Sequence, residues 1–172
     1  MDALTGPGID EGLLLLRVLV GVPFSLHGFQ KLLGWFDGGG IDGTAKWFAS
    51  LGFGDGRSAA LMAGASEVAG GLGLAFGLLS PLSAAAMVGT MTTAAFVNNA
   101  EAGFWSVYKG WELNGYLIVV AATVAVAGPG AYSLDHALGL EWFAGSLLGG
   151  GAVLLGVLGG WVRWASRDRS AD

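Results

Sequence analysis

Residues 142–162 carry no charged side chain, and four further stretches come close to that: 12–35, 59–79, 82–98 and 113–127. Arg17, His27 and Lys31 interrupt the first, Glu67 the second, and no acid, base or histidine the other two. A helix crosses a hydrocarbon core of about 30 Å with roughly 20 residues, because each backbone N–H and C=O must be satisfied inside the segment. Five such stretches tile most of 172 residues, so the expected fold class is an all-α integral membrane protein. Composition agrees: 53% of residues are hydrophobic, 12% are charged and the mean hydropathy is +0.63, whereas about a quarter of a soluble domain is charged.

Breakers set the connections. Ser80-Pro81 alone parts the second and third stretches, which predicts a tight helical hairpin, and the fourth stops at Gly128-Pro129-Gly130. Trp142, Trp161 and Trp164 bracket the last stretch where interfacial aromatics sit, and it has no polar face on which to rest among headgroups. The first twelve residues hold no Lys or Arg, so no cleaved signal peptide is expected. With the N-terminus outside, Lys31, Lys46, Arg57, Lys109, Arg163, Arg167 and Arg169 fall toward the cytoplasm and only Arg17 toward the exterior. That asymmetry predicts a cell-membrane protein with an outer N-terminus and a cytoplasmic C-terminus.

Several chemistries drop out. With no cysteine, the chain has no disulfide, no iron–sulfur ligation, no c-type haem attachment and no thiol chemistry. A six-coordinate haem needs two inward histidines at compatible depth, but His136 falls on the opposite side from His27. No His-x3-His spacing supports a metal site, so neither haem, iron–sulfur cluster nor metal is expected. Thirteen acids against eight bases, with no basic cluster before the extreme C-terminus, give no nucleic-acid footprint.

Two segments lie between spans. In residues 37–57, Trp47, Phe48 and Leu51 recur at helical spacing between glycine-rich flanks, which predicts a short interfacial helix. Residues 100–111 hold Phe104, Trp105, Tyr108 and Trp111, read as an aromatic belt, with a folded-back lid as the alternative. Gly70, Gly71, Gly73 and Gly77 in the second span, and Gly145, Gly149, Gly156 and Gly160 in and beside the fifth, give small-xxx-small spacings for close helix packing. Glycines on several faces of the fifth helix also suit contact with a neighbouring subunit, a homo-oligomer included.

Ionisable groups inside a span are costly and normally face the bundle interior. At 100° per residue Arg17, His27 and Lys31 share an arc of about 80° on the first helix. His27 and Glu67 each lie about 12 Å from the cytoplasmic end of their spans, at matching depth for a pair. Lys31, Asn98, Asn99, Glu112 and Asn114 fall nearer that end, so the seven residues can line one inner-leaflet cavity. On the outer side Arg17 and Asp135 are expected to form a structural ion pair. A polar pocket at that depth suits a headgroup on an apolar tail, such as a quinone, with His27 or Lys31 donating to a carbonyl and Glu67 handling protons. The alternative is a mutually satisfied network that fixes helix register.

The strings Arg17-Val-Leu-Val-Gly21, His27-Gly-Phe-Gln-Lys31, Glu67-Val-Ala-Gly-Gly, Glu112-Leu-Asn-Gly-Tyr and Gly128-Pro-Gly-Ala-Tyr-Ser-Leu-Asp135 together resemble the DoxX family of small bacterial and archaeal membrane proteins. The resemblance covers residues 12–138 and implies a DoxX-like four-helix bundle. Residues 139–172 then add a fifth transmembrane helix and a short basic tail. The resemblance also implies redox chemistry, since relatives include the quinone-reacting subunit of thiosulfate:quinone oxidoreductases. Actinobacterial members associate with superoxide dismutase and a sulfurtransferase in a membrane oxidoreductase complex. Arg17, His27, Lys31, Glu67, Glu112 and Asp135 carry over as motif positions. Two roles follow from different classes: a quinone-binding subunit taking electrons from a partner redox protein, or a non-catalytic membrane anchor or assembly subunit.

Overall fold

The computed structural model describes residues 8–99 and 101–168. They form helices α1 (Ile9–Leu33), α2 (Gly40–Ser50), α3 (Gly56–Phe76), α4 (Ser80–Ala94), α5 (Glu112–Ala127), the single turn α6 (Leu134–Ala137) and α7 (Leu148–Ala165). By length and hydropathy α1, α3, α7 and the stretch Ser80–Val97 are each able to cross a membrane. The fourth expected span, α5, is a shorter apolar helix of 16 residues, about 24 Å long. It packs on α4 and α7.

Chain direction alternates between two ends. At one end Ala131 N–H donates to Asp10 at 2.8 Å and Asp135 N–H to the Gly77 carbonyl at 2.8 Å, which gathers the start of α1, the α3–α4 turn and the α5–α6 loop. At the other end Asp168 N–H donates to the Gly52 carbonyl at 2.8 Å, which joins the end of α7 to the α2–α3 loop. Five passes of α1, α3, α4, α5 and α7 therefore separate the described termini. We call these the hairpin end and the basic end. Lys31, Lys46, Arg57, Lys109, Arg163 and Arg167 all belong to the basic end, and Arg169 lies outside the described residues.

Two glycine-lined interfaces build the bundle. α1 packs closely on α3 because Gly21 and Gly28 meet the backbone at Gly71 and Gly64, where no Cβ fits. α4 packs on α7 in the same way, with Gly89 against Gly156 and Gly160. Gly149 abuts the Ala125 carbonyl of α5. Three of the four glycines expected to pack helices closely at the last span, Gly149, Gly156 and Gly160, do so inside the chain, and Gly145 sits in a loop at φ +111°; Gly150, Gly151 and Gly159 on the other faces of α7 meet nothing within 4 Å. Phe24, Leu74, Met87, Val88, Met91 and Val124 fill the core between the helices.

Helix ends follow local chemistry. Asp55 caps α3 by accepting from Arg57 N–H at 3.1 Å. Gly77 (φ +62°) closes it, with Leu78 N–H on the Gly73 carbonyl at 2.8 Å. α1 runs unbroken through Pro23. The last helix starts later than the uncharged run implied: Trp142 belongs to a short 3-10 turn, Glu141–Phe143, and α7 begins at Leu148. Absence of charge marks what tolerates lipid; it does not mark where the helix begins.

Candidate functional site

At the basic end a cavity of about 810 Å³ opens between the α1–α3 pair and the α4–α7 pair. Lys31 and Glu67 sit on its wall, joined by a 2.6 Å ion pair with side chains 21% and 5% exposed. Lys31 is held from behind as well, since Thr44 of α2 donates to its carbonyl at 3.3 Å. His27 and Asn114 also line the cavity, and Asn114 Nδ2 lies 3.4 Å from Met91 Sδ.

The expected His27–Glu67 pair is corrected, because Lys31 takes that place. The packing face of α1 is set by its glycines and not by its polar residues. Arg17 lies about 20° around the helix from Gly28, Lys31 about 60° and His27 about 100°. Burial falls in that order: Arg17 is fully buried, Lys31 is intermediate and His27 is exposed at the rim, its Nδ1 3.0 Å from Gln30 Oε1.

Glu112 also departs from expectation. It does not line the cavity; its carboxylate accepts from Ser106 N–H at 2.9 Å and so fastens the loop before α5. The backbone of Asn98 and Asn99 closes α4 in a π-helical turn, Ala95–Asn99, while their side chains lie outside the described residues. The aromatic loop is not a lid either. Trp105, Val107 and Tyr108 are strongly exposed, and none of them lines the cavity.

The wall that sequence reasoning missed comes from α2, the loop after it and α7. Trp47, Phe48 and Phe53 cover the basic end of the cavity, with Trp47 and Phe48 stacked at 4.9 Å and Phe48 on Phe53 at 5.6 Å. Arg163 of α7 places its guanidinium 4.6 Å from the Phe53 ring centre and lines the same space. The signal for α2 was its apolar spacing, which fits an interfacial helix and a pocket roof equally well. Arg163 carried no signal, because its place depends on the α4–α7 glycine contact.

Arg17 and Asp135 meet at the hairpin end but do not form the expected contact pair: the ion pairs within 4.0 Å among the described residues do not include them. Arg17 Nη2 donates to the Tyr132 carbonyl at 2.5 Å and Nε to that of Leu13 at 3.3 Å. Asp135 accepts from Leu79 N–H at 2.7 Å and from Ser80 N–H and Oγ at 2.9 and 2.6 Å. Backbone groups left over at a helix hairpin are nearer and more numerous than a second charge, and they claimed both side chains.

The DoxX family model matches residues 12–100. An Escherichia coli (strain K12) protein named "Inner membrane protein YqjF" is 30% identical over 137 residues, which cover 77% of this chain and 96% of the relative. A Bacillus subtilis (strain 168) protein named "Putative oxidoreductase CatD" is 35% identical over 100 residues, 54% of this chain and 69% of the relative. No solved structure matches the chain. With Lys31 and Glu67 of the polar cavity inside the matched residues, this multi-pass helical membrane protein belongs to the DoxX family.

Proposed function

We propose that the cavity binds the headgroup of a lipid-soluble quinone and that the chain works as the membrane subunit of a redox assembly. The observation that carries this reading is the Lys31–Glu67 pair, an ion pair at 2.6 Å on the wall of a large, mostly apolar cavity rather than inside a closed core. Lys31 has three N–H donors and Glu67 uses one oxygen in the pair, so both keep capacity for a ligand. Lys31 and the rim His27 are placed to donate to a carbonyl oxygen. Glu67 is placed to hold or release a proton, and the Trp47, Phe48 and Phe53 roof limits water. A bound quinone supplies the two-electron, two-proton chemistry that this cysteine-free chain lacks. Electrons then come from a partner redox protein, a role to which the name of the Bacillus subtilis relative lends support.

Six described bases at one end of the bundle favour an orientation in the bacterial or archaeal cell membrane with that end, and the C-terminus, in the cytoplasm. The test is equilibrium binding of a lipid quinone to the protein in nanodiscs, for the natural chain and for Glu67→Gln and His27→Gln at equal folded amounts. Saturable binding that weakens in Glu67→Gln supports the reading. Absence of saturable binding in the natural chain rejects it and leaves a non-catalytic anchor or assembly subunit.

A further inference from the structure

The cavity does not end at its polar groups. On α4 and the π-helical turn that continues it, the lining runs from Ala85 to Val97, about 18 Å. It therefore reaches from the basic end toward the bundle's middle as a slot. α3 and α7 both pack on α4 but scarcely touch one another, which leaves a lengthwise gap between them with α4 as its floor. That floor is made of small residues, Ala85, Ala86, Gly89 and Thr90. The gap's edges are Met62 of α3 and Leu155 of α7, which are 60% and 69% exposed. Thr90 returns its hydroxyl to the Ala86 carbonyl at 2.9 Å, and Thr93 to that of Gly89 at 3.0 Å, so neither has a donor to offer an occupant.

We propose that this slot is a lateral portal: the occupant enters from the bilayer between α3 and α7, and its apolar tail lies along the α4 floor while its head reaches Lys31 and Glu67. The proposal rests on the quinone reading of the polar end and commits to the tail of that same molecule. Three features argue for a single slender chain. The floor has no side chain larger than threonine over residues 85–90 except Met87 and Val88, which are buried in the core and face away from the slot. The slot is continuous with the one polar end. Its open side faces the lipid-exposed flanks of two membrane-crossing helices.

The experiment uses a quinone with a photoreactive diazirine at the far end of its tail, added to the full chain in nanodiscs and mapped by peptide mass spectrometry. A tail-less quinone is titrated in parallel. Label concentrated at 85–90 and 155–159, displaced by unlabelled long-tailed quinone, is the expected result. Ala86→Leu and Leu155→Trp should each lower that labelling severalfold and leave binding of the tail-less quinone unchanged. Leu154→Trp, on the outward face of α7, should change neither. Leu155→Trp sits at the exposed mouth, so it remains informative if Ala86→Leu disturbs the α3–α4 contact. Label spread evenly over all lipid-facing helices, or indifferent to both slot variants, overturns the portal. Label in the slot that phospholipid displaces and quinone does not overturns the assigned occupant. Failure of the tail-less quinone to bind the natural chain counts against the head site, and the tail label still decides the portal.

Discussion

Both ends of the bundle hold buried charge, yet they treat it in opposite ways. At the hairpin end Asp135 spends its carboxylate on three donors of the α3–α4 turn, and Arg17 gives Nε and Nη2 to two carbonyls while its buried Nη1 packs against the turn without a hydrogen bond among the described residues. One of those donors belongs to Leu79, a non-glycine residue at φ +46°, a conformation costing about 1–2 kcal/mol. Asp135 holds that turn in place. At the basic end Lys31 and Glu67 satisfy one another only in part and face an open cavity. Asp135, saturated by the donors of a turn and closed in by packing, builds structure, and a buried pair with spare capacity beside a cavity suits a ligand.

That contrast breaks first at Asp135. Asp135→Ala strands the N–H groups of Leu79 and Ser80 and the Ser80 hydroxyl, which should cost roughly 3–5 kcal/mol. The drop is readable as lost folded yield in detergent. Arg17→Leu should lower yield as well, and because the two side chains serve separate backbone partners, the double change should lose about the sum. Rescue in the double variant would restore the contact ion pair and undo the contrast.

At the basic end the expected stability changes are smaller. Lys31→Met leaves the Glu67 carboxylate without its partner and should destabilise by about 1–3 kcal/mol, while Glu67→Gln keeps an acceptor for Lys31 and should cost less. Thermal midpoints in nanodiscs rank these two against Asp135→Ala. Equal losses at Lys31 and Asp135 would mean that the cavity pair is structural too. The smallest effect belongs to Asp55, the exposed cap of α3. Its hydrogen bond from Ser58, with further help from the Arg57 backbone, holds its carboxyl below the ordinary 3.8. A depressed folded value means that this cap stabilises above pH 3.8 and loses its contribution as pH falls through the folded value. Asp55→Ala should therefore lower the midpoint slightly at neutral pH and leave it unchanged in strong acid.

The legible part of the fold was the part that lipid dictates. Uncharged runs located α1, α3, α4 and α5 to within a few residues, and the Gly-Pro-Gly and Ser-Pro breakers placed their ends. The start of α7 was illegible because 142–147 is apolar without being helical. In the site, Lys31, Glu67, His27 and Asn114 were brought to one cavity as their depth implied. Glu112 was not, because an acidic residue in the first turn of a helix finds loop N–H groups within reach before it finds a cavity. Pairing went wrong at His27 because depth alone was matched, while Gly28 decides which side of α1 meets α3. Which helix pairs with which is a long-range fact, and Arg163 and the α2 roof depend on it.

If one end of the bundle binds and the other does not, two tryptophans can report on the two ends. Trp47 lines the cavity, and Trp142 lies 70% exposed near the hairpin end. Quinones quench indole fluorescence on contact, so single-tryptophan variants retaining Trp47 or Trp142 can be titrated with a lipid quinone in nanodiscs. The expected result is saturable quenching of Trp47 that Glu67→Gln weakens, against a shallow, unsaturating loss at Trp142 from quinone dissolved in the bilayer. Identical, unsaturating curves at both tryptophans would contradict it.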